Sequence, residues 1–233
     1  MPDSSGAPPR HVLVVADGDV PARADLDAAW PGWADGVTAV VAADGGYARA
    51  AAVGFRPDVL VGDLDSLAAD QAAAAEASGA EVRRFPPDKD ESDTELALAE
   101  AIGLGATRIT VLGAFGGPRL DHALANLWLL AHPQLAGADV VLLDAGARAC
   151  LVAAPGPDGG PVTRHLPGRP GATVSLLPFG GDADGVTTNG LRYALRDEPL
   201  RSGPARGLSN VRLGSDATVT LRRGRLLVVE GPV

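Results

Sequence analysis

Four short segments carry most of the chain's reactive side chains. They are Asp44-Gly45-Gly46, Gly62-Asp63-Leu64-Asp65-Ser66, Asp88-Lys89-Asp90-Glu91-Ser92-Asp93-Thr94-Glu95, and Gly113-Ala114-Phe115-Gly116-Gly117-Pro118-Arg119-Leu120-Asp121-His122 with Ala125-Asn126 just beyond. On extended backbone Asp63 and Asp65 are two residues apart and face the same way. Two carboxylates so placed repel unless a cation lies between them, and hard oxygen donors suit Mg²⁺. Asp90 and Asp93 flank a helix start and can reach one cation between them, while Lys89 can neutralise a phosphate oxygen as a point charge. Gly116 and Gly117 let backbone approach an anion closely, helix N-terminal N–H groups attract phosphate, and Arg119 can fork onto phosphate oxygens. The chemistry this describes is phosphoryl transfer. That reaction asks a protein for positioning and charge cancellation more than for covalent help.

Each segment also has an ordinary explanation. Asp and Gly dominate turns. Ser92 with Glu95 three residues on is a capping box, and acids favour a first helical turn. His122 beside Asp121 reads equally as a hydrogen-bonded structural histidine, and Asn126 as a residue that satisfies its helix. What favours chemistry is that all four segments fall at successive strand–helix junctions.

The elements that must gather them are legible as alternating patterns. Apolar runs at His11–Ala16, Thr38–Ala42, Asp58–Val61, Glu81–Phe85, Arg108–Leu112 and Asp139–Leu143 predict strands; Leu67–Ser78, Ser92–Leu104 and Leu120–Ala131 predict helices. Alternation of this kind implies right-handed crossovers and a mostly parallel sheet with helices on both faces. Such sheets bind ligands beyond the carboxyl ends of their strands, where the four segments lie. After about Asp144 helical periodicity disappears, and Gly and Pro punctuate short apolar runs. That predicts an all-β sandwich or barrel. Arg222-Arg223-Gly224-Arg225 reads as a hairpin turn between two of those runs. The expected division is a lead-in over 1–10, an α/β domain over 11–145 and a β-rich domain over 146–233.

Composition narrows the choice. The chain has 233 residues and net charge −9. Residues 1–145 carry −13 and residues 146–233 carry +4, an asymmetry that suggests two regions with different jobs. An acidic first half argues against nucleic-acid binding, which needs a basic footprint. No apolar stretch of about 18 residues predicts a membrane span. The polar, proline-containing start has no apolar signal core and is expected to be a disordered lead-in. Cys150 is the sole cysteine, so no intrachain disulfide forms, and a cytoplasmic setting is expected. Lys89 is the sole lysine. It lies between Asp88 and Asp90, so the chain has no P-loop, and no G-x-G-x-x-G occurs either. A nucleotide would have to be held another way, through metal.

With these residues in view, the chain resembles the thiamine pyrophosphokinase family. The four segments match in order, and Ser175-Leu176-Leu177-Pro178, Thr187-Thr188-Asn189-Gly190-Leu191-Arg192-Tyr193 and Gly207-Leu208-Ser209-Asn210 look like that family's later motifs. The resemblance runs from about His11 to about Glu230. It implies transfer of the pyrophosphoryl group of MgATP to the thiamine hydroxyl, giving thiamine diphosphate and AMP, in a homodimer with thiamine between subunits. It implies that the first domain binds ATP and the second thiamine. Asp44, Asp63, Asp65, Asp93 and Asp121 match the family's metal and phosphate ligands. Gly45, Gly46, Lys89, Asp90, Gly116, Gly117, Arg119, His122 and Asn126 are the candidate nucleotide contacts. Tyr193 matches the aromatic residue that packs on thiamine, with Thr188, Ser209 and Asn210 beside it; an aromatic face suits both a flat pyrimidine and a cationic thiazolium. Pro118 departs from the pattern, which runs from glycine–glycine directly into arginine. Three other readings stay open on sequence grounds: a pyrophosphokinase for a pterin alcohol on the same scaffold, a non-catalytic nucleotide or thiamine binder, and a Mg²⁺-dependent phosphohydrolase.

Overall fold

Apolar runs in the first half of the chain, the one at Glu81–Phe85 excepted, are buried along most of their length, as inner strands of a sheet covered on both faces must be. The computed structural model describes residues 10–63 and 69–232, and the chain divides into two units between Asp144 and Ala145. In the first unit, β1 (His11–Val15), β2 (Val37–Ala43), β3 (Val59–Gly62), β4 (Glu81–Arg84), β5 (Arg108–Leu112) and β6 (Asp139–Leu143) form a parallel sheet in the order β6-β5-β1-β2-β3-β4. The chain runs outward from β1 to β4, then returns to β5 on the other side of β1. The topological switch point therefore lies between β1 and β5, where open sheets of this kind leave a crevice. The edge strand β4 is charged: Arg83 pairs with Glu81 and Glu100, and Arg84 with Glu76. A charged edge discourages pairing with another sheet.

Among the described residues five α-helices follow the strands: α1 (Arg23–Ala29), α2 (Gly46–Ala52), α3 (Ala69–Ala77), α4 (Asp93–Gly103) and α5 (Leu120–Leu129). Leu13, Val15, Val40 and Leu112 build one core cluster with Leu26 of α1 and Ala50 of α2; Ala42 and Leu60 build a second with Ala75 of α3. Alternation turns Val12, Val14, Val41 and Val61 the other way, and these are also buried. On that side α4 lies against β1, β2 and β3 with Ala97, Leu98 and Ala101 buried. Helices α1 and α2 were not expected from the pattern. Neither N-cap residue, Ala22 or Gly45, caps with its side chain, and α2 begins inside the glycine turn itself. Tertiary burial rather than local signal makes both helical.

The second unit is antiparallel. Strands β7 (Arg148–Ala154), β9 (Thr173–Pro178), β12 (Asn210–Val211) and β14 (Gly224–Glu230) pair in the order β12-β9-β14-β7; β8 (Val162–Pro167), β10 (Ala183–Asn189), β11 (Glu198–Leu200) and β13 (Asp216–Leu221) pair as β11-β10-β13-β8. Inward residues alternate along both sheets: Cys150 and Val152, Leu226 and Val228, Val174 and Leu176 on one, Ala217, Val219 and Leu221 on the other. This is a sandwich, as the run of short strands predicts. The expected hairpin at Arg222–Arg225 is not one. β13 pairs with β8 and β10, whereas β14 pairs with β7 and β9, so the turn crosses between sheets. Both Arg222 and Arg223 donate backbone N–H groups to Asp184 O, and Gly224 has φ +96° with Asp182 O crowding the place of a Cβ. A tight Gly-containing turn marks a sharp reversal in sequence; which strand receives the chain is decided by packing.

Candidate active site

Three of the four reactive segments meet at the carboxyl ends of adjacent strands. Asp44 follows β2, Asp63 follows β3, and Asp93 opens α4 after the loop that leaves β4. Asp44 is buried and has φ +48°, an uncommon conformation for a residue with a side chain. Gly62 explains the crowding. A Cβ on it would stand 3.3 Å from Asp44 Oδ1 and 3.4 Å from Asp93 Oδ1, and its own φ is +148°. Two carboxylate oxygens from different elements thus converge on one point above the end of β3. Lys89 sits among them. Its Nζ is 3.0 Å from Asp93 Oδ1 and 3.8 Å from Asp63 Oδ2, with the Lys89 side chain only 10% exposed. The Asp93 oxygen is sealed from solvent and meets the ammonium as an ion pair, without the angle of a directed hydrogen bond. Burial pulls the Lys89 pKa down, but the adjoining carboxylate of Asp93, then those of Asp63 and Asp44, outweigh it and hold the ammonium above its usual value.

Ser92 caps α4 by accepting from Glu95 N at 3.2 Å, which anchors Asp93 in the first turn. Asp90 is exposed and Asp93 half-buried, so Asp93 is the one of the pair that joins the cluster. Asp65 lies outside the described residues. Among the described residues no set of three metal-donor side chains is close enough to hold an ion as it stands. A Lys89 ammonium lies within ion-pair distance of two of the three carboxylates.

The glycine segment after β5 is locked onto the loop after β1 at the switch point. Gly18 N donates to Gly113 O at 2.9 Å and Asp19 N to Phe115 O at 3.0 Å; Gly117 N donates to Asp19 Oδ2 at 2.8 Å. Gly113 has φ +69°, and a Cβ there would fall 2.4 Å from Ala16 O, so glycine is required twice over. Asp17 reaches the start of α2: it accepts from Arg49 Nε at 3.1 Å, and a Cβ on Gly45 would lie 2.2 Å from Asp17 Oδ1. Gly46 leaves no room either, with Val15 O 2.0 Å from its would-be Cβ. Asn126 is buried and donates to Ala114 O at 2.9 Å, so α5 braces the glycine loop. Arg119 turns onto Asp121 through two contacts, Nε to Oδ1 at 3.2 Å and Nη2 to Oδ2 at 2.5 Å, on an exposed surface. That guanidinium keeps the Asp121 carboxyl below its ordinary pKa. His122 is exposed one residue on.

In the second unit the chain from Gly190 to Tyr193 runs alongside β12. Arg192 N donates to Val211 O and Leu213 N to Gly190 O, each at 2.9 Å. The Asn210 side chain extends this ladder: its Oδ1 accepts from Tyr193 N at 2.9 Å while its Nδ2 donates to Tyr193 O at 2.8 Å. Thr188 holds the other end of the same loop, accepting from Leu195 N at 2.9 Å. Asn210 and Thr188 are both buried, whereas the Tyr193 side is 64% exposed. Ser209 is exposed with φ +57°, and its N–H donates to Ser175 Oγ at 3.0 Å. Gly207 lets that segment lie against β9, since a Cβ would meet Leu176 O at 1.9 Å.

Comparison with known proteins bears on both units. Residues 33–142 match the family model described as thiamin pyrophosphokinase, catalytic domain, and residues 164–226 match the one described as thiamin pyrophosphokinase, vitamin B1 binding domain. The chain belongs to the thiamine pyrophosphokinase family. The thiamine pyrophosphokinase of Bacillus subtilis is 25% identical over 198 residues, covering 85% of this chain and 89% of that protein. Thiamine pyrophosphokinase 1 of Oryza sativa subsp. japonica is 28% identical over 184 residues, 72% of this chain and 67% of that one. Among solved structures, the thiamin pyrophosphokinase of Geobacillus thermodenitrificans superposes with a TM-score of 0.75 at 26% identity, covering 96% of this chain and 98% of that one. The Bacillus subtilis structure gives 0.80 at 24% identity, covering 96% of this chain and 99% of that one, a likeness of fold.

Within that family the candidate residues sort by what they touch. Asp44, Asp63, Asp93 and Lys89 come together; Asp121 meets Arg119 instead. Gly62, Asp19 and Arg49 were not singled out from the sequence. Gly62 sits inside the Gly62–Ser66 segment and Asp19 follows Asp17-Gly18, but neither type betrays a close approach before the strands are aligned.

Proposed function

We propose that the chain transfers the pyrophosphoryl group of ATP to thiamine. The thiamine hydroxyl oxygen forms a bond to the β-phosphorus, the bond from that phosphorus to the α-phosphate oxygen breaks, AMP leaves, and the hydroxyl proton passes to solvent. One observation carries the reading: carboxylates from three elements meet at the ends of adjacent parallel strands, in a chain whose two halves match the family's two domain models.

The donor set fits Mg²⁺. Its members are hard carboxylate oxygens, Gly62 leaves a cradle that a Cβ would fill, and a Lys89 cation already lies among them. Asp44, Asp63 and Asp93 would hold the ion, with Asp65 and Asp121 as the further family-matched donors. When bound, Mg²⁺ cancels charge on the polyphosphate. The rest falls to the chain. Lys89 offers an ammonium to a phosphate oxygen. Gly116 and Gly117, at φ +77° and +76°, give backbone that can approach an anion, and Arg119 and His122 flank it. Gly45 and Gly46 start α2 beside Asp44. Tyr193 presents an open ring for thiamine, with Ser209 exposed near it and Asn210 and Thr188 holding its loop. A ring face attracts a thiazolium cation by its quadrupole.

The reading includes a cytoplasmic homodimer. No helix among the described residues is long and apolar enough to cross a membrane. Leu120, Leu124 and Trp128 recur at helical spacing on α5 and are 74%, 46% and 61% exposed, an apolar stripe that a second copy would cover. The test of function is direct. MgATP and thiamine together should yield AMP and thiamine diphosphate in equal amounts; ATP loss without thiamine, or product with a pterin alcohol alone, would reject the assignment.

A further inference from the structure

The carboxylate cluster holds a cation of the chain's own. Lys89 is the only lysine in 233 residues, against 19 arginines. Its side chain is 10% exposed, and those of Asp63 and Asp93 are 17% and 31% exposed. Lys89 and Asp93 are four residues apart, bridging the loop after β4 to the first turn of α4. Asp63 comes from the end of β3. The ammonium therefore ties two elements together through charges that would otherwise repel. A compact ammonium can do this where a forked guanidinium would reach past. The Lys89 ammonium offsets part of the repulsion between these partly buried like charges.

We propose that Lys89 is a resident counter-ion that exchanges with the divalent cation: it clamps Asp63 and Asp93 before metal arrives and is displaced from them when metal binds. This rests on the Mg²⁺ reading above. Exchange has a consequence for order. Metal alone must break the Lys89 pairs and leave the ammonium without a partner. Metal that brings a polyphosphate supplies a new anionic partner for the same ammonium. Metal and nucleotide should therefore each tighten the other's binding, and by the same factor, since coupling between two ligands is reciprocal.

Two measurements test this on the intact chain, expressed without added lysines. Uniform labelling of lysine at Cε places one side-chain resonance in the spectrum. Adding Mg²⁺ to saturation without nucleotide should move that resonance, as its ion pairs break. The second measurement is Mn²⁺ binding by loss of the free-ion paramagnetic signal. Nucleotide-free Lys89→Gln should bind Mn²⁺ about tenfold more tightly than the native chain, a change of about 1.4 kcal/mol, and Lys89→Arg should not. ATP should then tighten Mn²⁺ less in Lys89→Gln than in the native chain. Binding of metal that leaves the Cε resonance in place overturns the exchange, as does equal or weaker Mn²⁺ affinity in a folded Lys89→Gln. If Lys89→Gln does not fold, the resonance of the native chain decides alone. A native chain that takes up no Mn²⁺ even with ATP overturns the metal reading itself, and the exchange with it.

Discussion

Asp93 and Asn210 illustrate how differently two candidate site residues can act. Asp93 offers charge: its oxygen is sealed from solvent and faces an ammonium 3.0 Å away. Asp93→Asn keeps the shape and removes that charge. We expect turnover to fall by about 10²–10³-fold, the range for losing one preorganised electrostatic partner, with the far-ultraviolet spectrum and melting temperature little changed. Turnover near the native level would place the metal elsewhere. Asn210 offers geometry, because both ends of its amide are spent on the Tyr193 backbone. Asn210→Ala removes three side-chain hydrogen bonds, two to the Tyr193 backbone and one from Val211 N, at roughly 1 kcal/mol each, and loosens the loop that aims the ring. The KM for thiamine should rise about tenfold while the KM for ATP stays put, and the effect should not add to that of Tyr193→Ala, since both act through one ring. Additive effects would mean that Asn210 contacts thiamine on its own account.

At the scale of elements, glycine decides where strands and loops may touch, and buried charge decides how ends are fastened. In the second unit Glu230 closes β14 and is buried, with Arg212 and Arg148 both on its carboxylate; Arg212 also donates to Leu166 O and Arg148 to Pro167 O at 2.6 Å. β8, β14, β7 and the residue that follows β12 thus converge on one acid. Removing it leaves the buried Arg212 uncompensated. Glu230→Ala should cost about 3–5 kcal/mol, read as the shift in denaturant midpoint; a loss under about 1 kcal/mol would reduce the cluster to a surface-grade pair.

For the whole molecule, His11 links stability to pH. It is buried on β1, its Nδ1 donating to Asp35 O and its Nε2 accepting from Thr110 Oγ1, both at 2.9 Å, so the neutral ring is satisfied on both sides. Burial is the main reason its pKa is lowered from 6.5; the charge of Arg108 adds to this, against the bond to Asp35 O, which raises it. The unfolded chain therefore takes up this proton first. The contribution is whole above about pH 6.5, shrinks as pH falls through that value, and levels off below the lowered folded pKa. Denaturant midpoints should drop between pH 7.5 and 5.5, and His11→Gln should flatten that part of the profile. An unchanged profile in His11→Gln would assign the acid sensitivity to other groups.

How much of this was legible beforehand follows the range of the interactions. Strands in unbroken valine runs, the capping box at Ser92 and Glu95, and the change to short β runs after Asp144 are local, so neighbours along the chain declare them. The reactive segments also declare themselves, because aspartate, glycine and a solitary lysine stand out from an alanine-rich background. Helices α1 and α2 do not, since burial rather than capping makes them. The crossing at Arg222–Arg225 looks like a hairpin until each strand's partners are known. Lys89 read as a phosphate ligand and emerged paired with Asp63 and Asp93; Asp121 read as one of the metal set and emerged paired with Arg119; Asn210 read as a thiamine contact and emerged bound to the Tyr193 backbone. Residue type and order were enough to say which chemistry the chain can do. Which side chains share a pocket was settled only when β2, β3 and β4 came side by side, because a carboxylate's partner is set by distance in space, and sequence spacing carries that distance only within a single element.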